Sequence, residues 1–343
     1  MLISDFQYDL PQNLIAQEPL RNRENSRMLV IDRALQSVKD NVFLNFPDFL
    51  REDDVVVVNN TRVFPARLLG KSETYANIEI FLIEEIEDKV WLTLARPARR
   101  LKCGKIISFG AGLTAEVLEK RADGKVIVRF ETSGDFDDIL QQIGKTPLPP
   151  YIKRDETTID TDRERYQTIY ATNRGAIAAP TAGLHFTPDV IKKIENVGAT
   201  LTEITLHVGY GTFEPVRVSE LSEHRVSPER YEISDAAAEI LNNARGERRR
   251  IIAIGTTTTR ALETAMSRNG KFLAEKNSAD LTITPGYKFR AVDCLLTNFH
   301  LPRSSLLVLV STFGGHELIM NAYEHAVASQ YRFYSYGDCM LIL

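Results

Sequence analysis

The stretch Arg174-Gly-Ala-Ile-Ala-Ala-Pro-Thr-Ala-Gly-Leu-His-Phe-Thr-Pro-Asp189 decides how the chain is read. Gly175 to Ala179 is small and apolar, as a short buried strand requires. Pro180 ends such a strand because it donates no backbone hydrogen bond. Thr181-Ala182-Gly183 is compact enough for backbone to approach a ligand, and Gly183 tolerates positive φ. Thr187-Pro188-Asp189 then opens a helix, with Thr as N-cap, Pro at the first helical position and Asp facing the dipole. His185 therefore falls in a strand-to-helix connection, where open α/β sheets place their chemistry. A tight turn around a hydrogen-bonded histidine is the plain alternative.

Outward from this stretch, strand and helix signals alternate. Met28 to Ile31 and Val55 to Val58 are short apolar runs suited to buried strands, the second ending in Asn59-Asn60-Thr61-Arg62. Beyond Tyr151 the pattern predicts a helix from Val190 to Ile194 and a strand from Thr200 to Val208. A helix from Asp235 to Arg245 follows, capped by Ser234, then a strand from Ile251 to Ile254 and a helix from Arg260 to Arg268. Leu306 to Val310 reads as a buried strand and His316 to Gln330 as a helix. This is the signature of an α/β fold: a three-layer helix–sheet–helix domain. Residues 66–149 differ. Ala66–Leu69, Ile78–Ile83, Val90–Leu94, Ile106–Phe109, Leu113–Leu118 and Val126–Phe130 are strand-like, with Asp123-Gly124 as a hairpin turn. They predict an inserted small antiparallel β-barrel domain at 66–149, closed by the stiff return Thr146-Pro-Leu-Pro-Pro150. Residues 1–65 and 150–343 then form the α/β catalytic domain.

The 343 residues carry a formal net charge of −4, which argues against a generally basic nucleic-acid binder but leaves room for a local basic face. The three cysteines, Cys103, Cys294 and Cys339, are widely spaced and fit a reducing compartment. The N-terminus lacks a basic region followed by an apolar run, and the greasy run Leu306–Val310 is too short for a bilayer. The expected location is the cytoplasm.

Three further segments place polar groups at strand ends. Gly255-Thr256-Thr257-Thr258-Thr259-Arg260 brings hydroxyls and free amides to a helix N-terminus, a geometry that favours a carboxylate or phosphate. Asn298, His300 and Arg303 fall within six residues of one connection. His207 precedes Gly209-Tyr210-Gly211, where the aromatic ring could stack on a flat ligand or simply sit at a strand-end bulge. Thr181, His185, Thr257, Asn298 and His300 are expected to line one pocket. Arg62, Gly183, Tyr210, Thr256, Thr258, Thr259, Arg260 and Arg303 complete the candidate substrate-binding set. No metal motif and no G-x-S-x-G elbow is present. Arg96, Arg99, Arg100 and Lys102 cluster, as do Arg245 and Arg248 to Arg250; such runs are solvated faces or, beside a nucleotide-sized pocket, phosphate contacts.

With these strings in view, the chain resembles the S-adenosylmethionine:tRNA ribosyltransferase-isomerase family of queuosine biosynthesis. The likeness includes Asp5-Phe-x-Tyr-x-Leu-Pro11, Asn59-x-Thr-Arg62, Pro65-Ala-Arg67 and Arg165-Tyr-Gln-Thr168. It continues through Ala178-Ala-Pro-Thr-Ala-Gly-Leu-His-Phe-Thr187, Gly211-Thr-Phe213, Pro285-Gly-Tyr287, Thr297-Asn-Phe-His-Leu-Pro302 and Tyr331-Arg-Phe-Tyr-Ser-Tyr-Gly-Asp338. Three positions depart: Asn60 stands where the family usually has aspartate. His224-Arg-Val-Ser-Pro-Glu229 replaces H-x-M-H-x-E, and Tyr75-Ala-Asn77 replaces a glycine pair. The resemblance implies transfer and isomerisation of the ribosyl part of S-adenosylmethionine onto 7-aminomethyl-7-deazaguanine at the tRNA wobble position. Epoxyqueuosine forms and adenine and methionine leave. No metal or further cofactor is implied, S-adenosylmethionine being a substrate; the partners are that tRNA and S-adenosylmethionine, without a membrane, and the chain is read as a monomer. Removing a proton beside the sulfonium needs a base, for which His185, His207 and His300 are the candidates. Arg99, Arg100 and Lys102 are the expected tRNA contacts. The alternative is an RNA-binding protein of the same fold, weakened in catalysis. A conventional methyltransferase would need a glycine-rich loop early in a Rossmann unit, which is missing.

Overall fold

A computed structural model describes residues 1–154, 161–213 and 216–343, without the side chains of Arg100 and Phe213. The chain begins with strands β1 (Arg27–Asp32), β2 (Ser37–Val42), β3 (Val55–Asn59) and β4 (Thr61–Val63). Six more follow: β5 (Arg67–Ser72), β6 (Asn77–Glu87), β7 (Val90–Arg96), β8 (Ile106–Gly110), β9 (Leu113–Lys120) and β10 (Val126–Glu131). These six close into an antiparallel barrel, as the alternating apolar runs predict. Inward positions such as Leu68, Ile80, Val117 and Val128 fill it. One short helix, α1 (Phe136–Ile143), capped by Asp135, covers the barrel core before the chain returns.

The remaining elements are α2 (Asp162–Arg165), β11 (Asn173–Ala176), α3 (Pro188–Asn196), β12 (Thr200–Leu206), β13 (Glu229–Ile233) and α4 (Asp235–Gly246). Then come β14 (Ile251–Ile254), α5 (Thr256–Asn269), β15 (Glu275–Ala279), β16 (Cys294–Asn298), α6 (Ser305–Gly314), α7 (His316–Ala328) and β17 (Cys339–Ile342). The main sheet has nine strands in the order β15-β13-β12-β3-β14-β16-β17-β1-β2. Its central strands are apolar on both faces because both are covered. Val55, Val57, Ala253 and Leu295 pack toward α4, α5, α6 and α7, whereas Val56, Val58, Ile252 and Leu296 pack toward α3, Phe43 and Phe46. β17 lies between β16 and β1, so Met28 pairs with Cys339.

Two expectations need correction. Leu306–Val310 is helical, part of α6, not a strand: the Ser304 hydroxyl caps it by accepting from the Leu307 amide, and short apolar runs do not distinguish strand from buried helix. The Gly175–Ala179 strand is displaced, because β11 ends at Ala176 and pairs in parallel only with β4, outside the main sheet. Gln167 stitches this small sheet, accepting from the Val63 amide and donating to the Val63 carbonyl.

Candidate active site

The residues after β11, β14 and β16 converge on a cleft at the carboxyl ends of the central strands. Thr181 comes from a 3-10 turn spanning Thr181–His185, Thr256 and Thr257 from the first turn of α5, and Thr297, Asn298 and His300 from the end of β16. Tyr151, Tyr334 and Thr212 close the walls around about 580 Å³ of unfilled space, open solvent included.

α5 starts at Gly255, whose φ of 95° lets the strand turn straight into the helix. The helix begins four residues earlier than predicted, so all four threonines lie in its first turn. Thr258 donates to the Ile254 carbonyl (2.7 Å) and Thr259 to that of Gly255 (3.1 Å), so these two hydroxyls belong to the helix rather than a ligand. The Thr257 hydroxyl is buried with no partner and belongs to a residue lining the cleft at the positive end of the helix. The arrangement suits an anion.

Asn298 is buried; its Nδ2 donates to the Tyr334 carbonyl (2.9 Å) and its Oδ1 has no partner. Two groups can supply it a donor: the His185 ring behind it, whose Nε2 is likewise unpartnered, and a ligand in the cleft. His300 is clamped from two directions, its amide donating to the Tyr323 hydroxyl (3.0 Å) and its carbonyl accepting from the Tyr8 hydroxyl (2.5 Å). Its Nε2 meets Thr297 Oγ1 at 3.0 Å, and burial pushes its pKa down to about 3. The ring is neutral at physiological pH.

The other candidates lie elsewhere. His185 is buried against Phe43, its ring 5.3 Å away, in the layer of Phe46 and Phe186; it does not line the cleft. Burial lowers its pKa to about 4, against the opposing effect of the Asn298 side chain and the Arg23 backbone. It thus sits behind the wall that Asn298 faces, on the opposite side of the sheet from the Tyr8–Tyr323 clamp on His300. Gly183 has ordinary negative φ and packs inward: a Cβ there would lie 2.8 Å from the Thr168 methyl and against the Tyr170 hydroxyl. His207 rests on Gly175, where a Cβ would lie 2.6 Å from the ring, and its Nδ1 meets Thr61 Oγ1 at 2.9 Å, facing the barrel. Burial lowers its pKa. Tyr210 packs on Phe81 of the barrel, Arg62 is exposed on β4, and Arg303 is exposed with φ 54°. None of these lines the cleft.

Arg260 was expected to touch substrate, but it is buried and paired. Its Nη2 donates to Glu229 Oε2 (2.7 Å) and to the carbonyls of Ser227 and Ala279. Glu229 Oε1 in turn accepts from the Gly209 amide (2.8 Å) and Thr212 Oγ1 (3.0 Å), so the pair fixes the turn that carries Thr212 into the cleft. Sequence reasoning did not count Glu229, Tyr151 and Tyr334 among the site residues, although the family strings quoted above include Glu229 and Tyr334. Asn60 also proves structural, its Oδ1 accepting from Thr205 Oγ1 (2.7 Å) and Asn173 Nδ2 (3.3 Å). Ser227 packs on Gly211. Among the described residues no group of His, Cys, Asp and Glu is placed to hold a metal ion.

The profile of the queuosine biosynthesis protein family matches residues 3–342. The chain belongs to this family. It is 46% identical to the S-adenosylmethionine:tRNA ribosyltransferase-isomerases of Trichlorobacter lovleyi, over 343 residues, and Desulfitobacterium hafniense, over 345, covering all of each chain. The crystal structure of S-adenosylmethionine tRNA ribosyltransferase from Thermotoga maritima is 35% identical, with a TM-score of 0.56, covering 99% of this chain and 100% of that one. The family strings quoted above now have places: Thr297-Asn-Phe-His-Leu-Pro302 supplies one wall of the cleft, and Arg165-Tyr-Gln-Thr168 braces β4 beside it. Arg99 and Lys102 are exposed on the barrel after β7, while the Arg100 side chain lies outside the described residues. Among the described residues no helix is long and apolar enough to cross a membrane.

Proposed function

We propose that this protein transfers and isomerises the ribosyl moiety of S-adenosylmethionine onto 7-aminomethyl-7-deazaguanine at the wobble position of tRNA, releasing adenine and methionine. What supports the reading, beside the family, is one observation: two buried polar atoms without partners, Thr257 Oγ1 and Asn298 Oδ1, belong to residues lining the same cleft. The first sits at a helix N-terminus and suits the methionine carboxylate. The second is an acceptor and suits the exocyclic amine of adenine. His300 is the proton acceptor among the cleft residues. The burial that keeps it neutral also makes it a weak base, so the acidity of the carbon beside the sulfonium has to carry that step. S-adenosylmethionine is consumed, no metal or further cofactor takes part, and the enzyme acts as a monomer in the cytoplasm.

The test is to incubate the protein with S-adenosylmethionine and precursor tRNA. Free adenine together with the mass of the modified nucleoside supports the proposal. S-adenosylhomocysteine would mark a methyltransferase, and tRNA binding without either product would mark an RNA-binding protein.

A further inference from the structure

We propose that the groove on the outer face of the barrel binds an unpaired stretch of the RNA substrate, with Tyr75 as the surface on which a base stacks. This rests on the reading of RNA as substrate and gives it a route into the cleft.

The first observation is Tyr75 itself. It lies at the tip of the β5–β6 hairpin, in a turn closed by Tyr75 N to Ser72 O (2.8 Å) and Ser72 N to Ala76 O (2.9 Å). Its φ is 59°, and 82% of the residue is exposed. Glycine is the economical residue for left-handed backbone in a turn, and an aromatic ring left in water adds nothing to a core. A bulky side chain held there against both preferences points to use. Leu69 and Ile106 are also exposed and line the groove beside it.

The second observation is charge. Arg67, Lys71 and Arg96 line this groove with Glu73 and Glu79, and Arg67 already holds Glu79 at 2.8 Å. Exposed Arg99 and Lys102 follow Arg96 in the chain. The barrel's acidic run, Glu84, Glu85, Glu87 and Asp88, lies at the other end of β6. Cations interleaved with a free aromatic ring suit a single strand, whose phosphates meet the cations while a base stacks.

The third is continuity. Arg67, Glu79 and Arg96 also line the next hollow, which Phe81, Tyr210 and Arg154 enclose. Pro150, Ile152 and Tyr210 also line that hollow, and their near neighbours in the chain, Tyr151 and Thr212, line the cleft. A strand lying in the groove would lead a nucleotide toward the reacting centre.

The test compares the full-length protein with its Tyr75→Ala, Tyr75→Phe and Lys71→Ala/Arg96→Ala variants. It measures direct tRNA titration at two salt concentrations, S-adenosylmethionine binding, and turnover. Expected for Tyr75→Ala is a roughly tenfold rise in tRNA Kd and KM, the scale of one lost stacking contact, with kcat, S-adenosylmethionine affinity and thermal midpoint unchanged. Tyr75→Phe retains wild-type affinity, and the double variant flattens the salt dependence. Wild-type tRNA affinity in Tyr75→Ala overturns the proposal, whatever the turnover. A wild-type protein that binds tRNA through Tyr75 yet releases no adenine leaves the groove standing and refutes the enzymatic reading instead.

Discussion

Replacing Arg260 by methionine separates a residue that touches substrate from one that holds the site in place. The Arg260 and Glu229 side chains are only 10% and 3% exposed, and they meet at 2.7 Å. Removing one member of a buried pair leaves an uncompensated charge, at a cost of about 3–5 kcal/mol. Glu229 keeps two donors, the Gly209 amide and the Thr212 hydroxyl, while the carbonyls of Ser227 and Ala279 lose theirs. The expected loss for Arg260→Met therefore lies near the lower end, about 3 kcal/mol. Urea unfolding followed by far-ultraviolet circular dichroism measures it. The double variant Glu229→Leu/Arg260→Met removes both charges and should recover at least half the loss, because an apolar pair of similar volume often replaces a buried ion pair at little cost. Turnover of the single variant falls with the loosened Gly209–Thr212 turn and does not return in the double variant, because Glu229→Leu removes the acceptor of the Gly209 amide and the Thr212 hydroxyl. An unchanged unfolding midpoint together with a hundredfold drop in turnover would refute this reasoning and put Arg260 back on the substrate.

Thr257→Val removes a buried hydroxyl that has no protein partner, so stability should hold or rise while S-adenosylmethionine affinity falls about tenfold by calorimetry, the scale of one hydrogen bond. Thr258→Val, whose hydroxyl donates to the Ile254 carbonyl at the end of β14, is the matched control and should leave affinity unchanged. His185 and His300 stay neutral in the fold down to about pH 4 and 3, whereas an unfolded histidine protonates below about 6.5. Their contribution is thus complete above pH 6.5 and is lost as pH falls toward those values, by about 1.4 kcal/mol per pH unit for each ring. His300→Gln should reduce the slope of unfolding free energy between pH 6 and 5 by about one proton. Arg99→Ala/Lys102→Ala should weaken tRNA binding and lower its salt slope by about one for each lost phosphate contact, without altering S-adenosylmethionine binding.

The barrel was legible because most of its strands alternate buried and exposed positions, and local hairpins fix most of the pairings. The helix starts at Thr187 and Ser234 were legible for the same local reason, since a cap acts within three residues. What failed was non-local. Nothing in Gly175–Ala179 says that its partner is β4 rather than the main sheet, and nothing in Leu306–Val310 separates strand from helix once both would be buried. Thr257, Asn298 and His300 line one cleft, as expected, because strand ends meet there. His207 and His185 do not line it, because the sequence shows a histidine near a strand end but not which wall it faces. Thr258 and Thr259 were over-read because hydroxyls in a first turn can bond backwards to their own helix.

The place of β17 between β16 and β1 governs the order in which the molecule can assemble. β1 and β2 are synthesised early, and they pair with each other, but the sheet accepts them only through residues 339–342. Until those residues exist, Leu29 and Ile31 have no second neighbour in the sheet. A contact spanning some nine-tenths of the chain is slow to close, since the entropy of so large a loop is lost before the pairing rewards it. The N-terminal hairpin therefore waits with an open edge during translation, a state prone to wrong pairing. Deleting residues 339–342 would not trim a tail. It would split the sheet in two and leave a nascent-like chain for chaperones and proteases to sort.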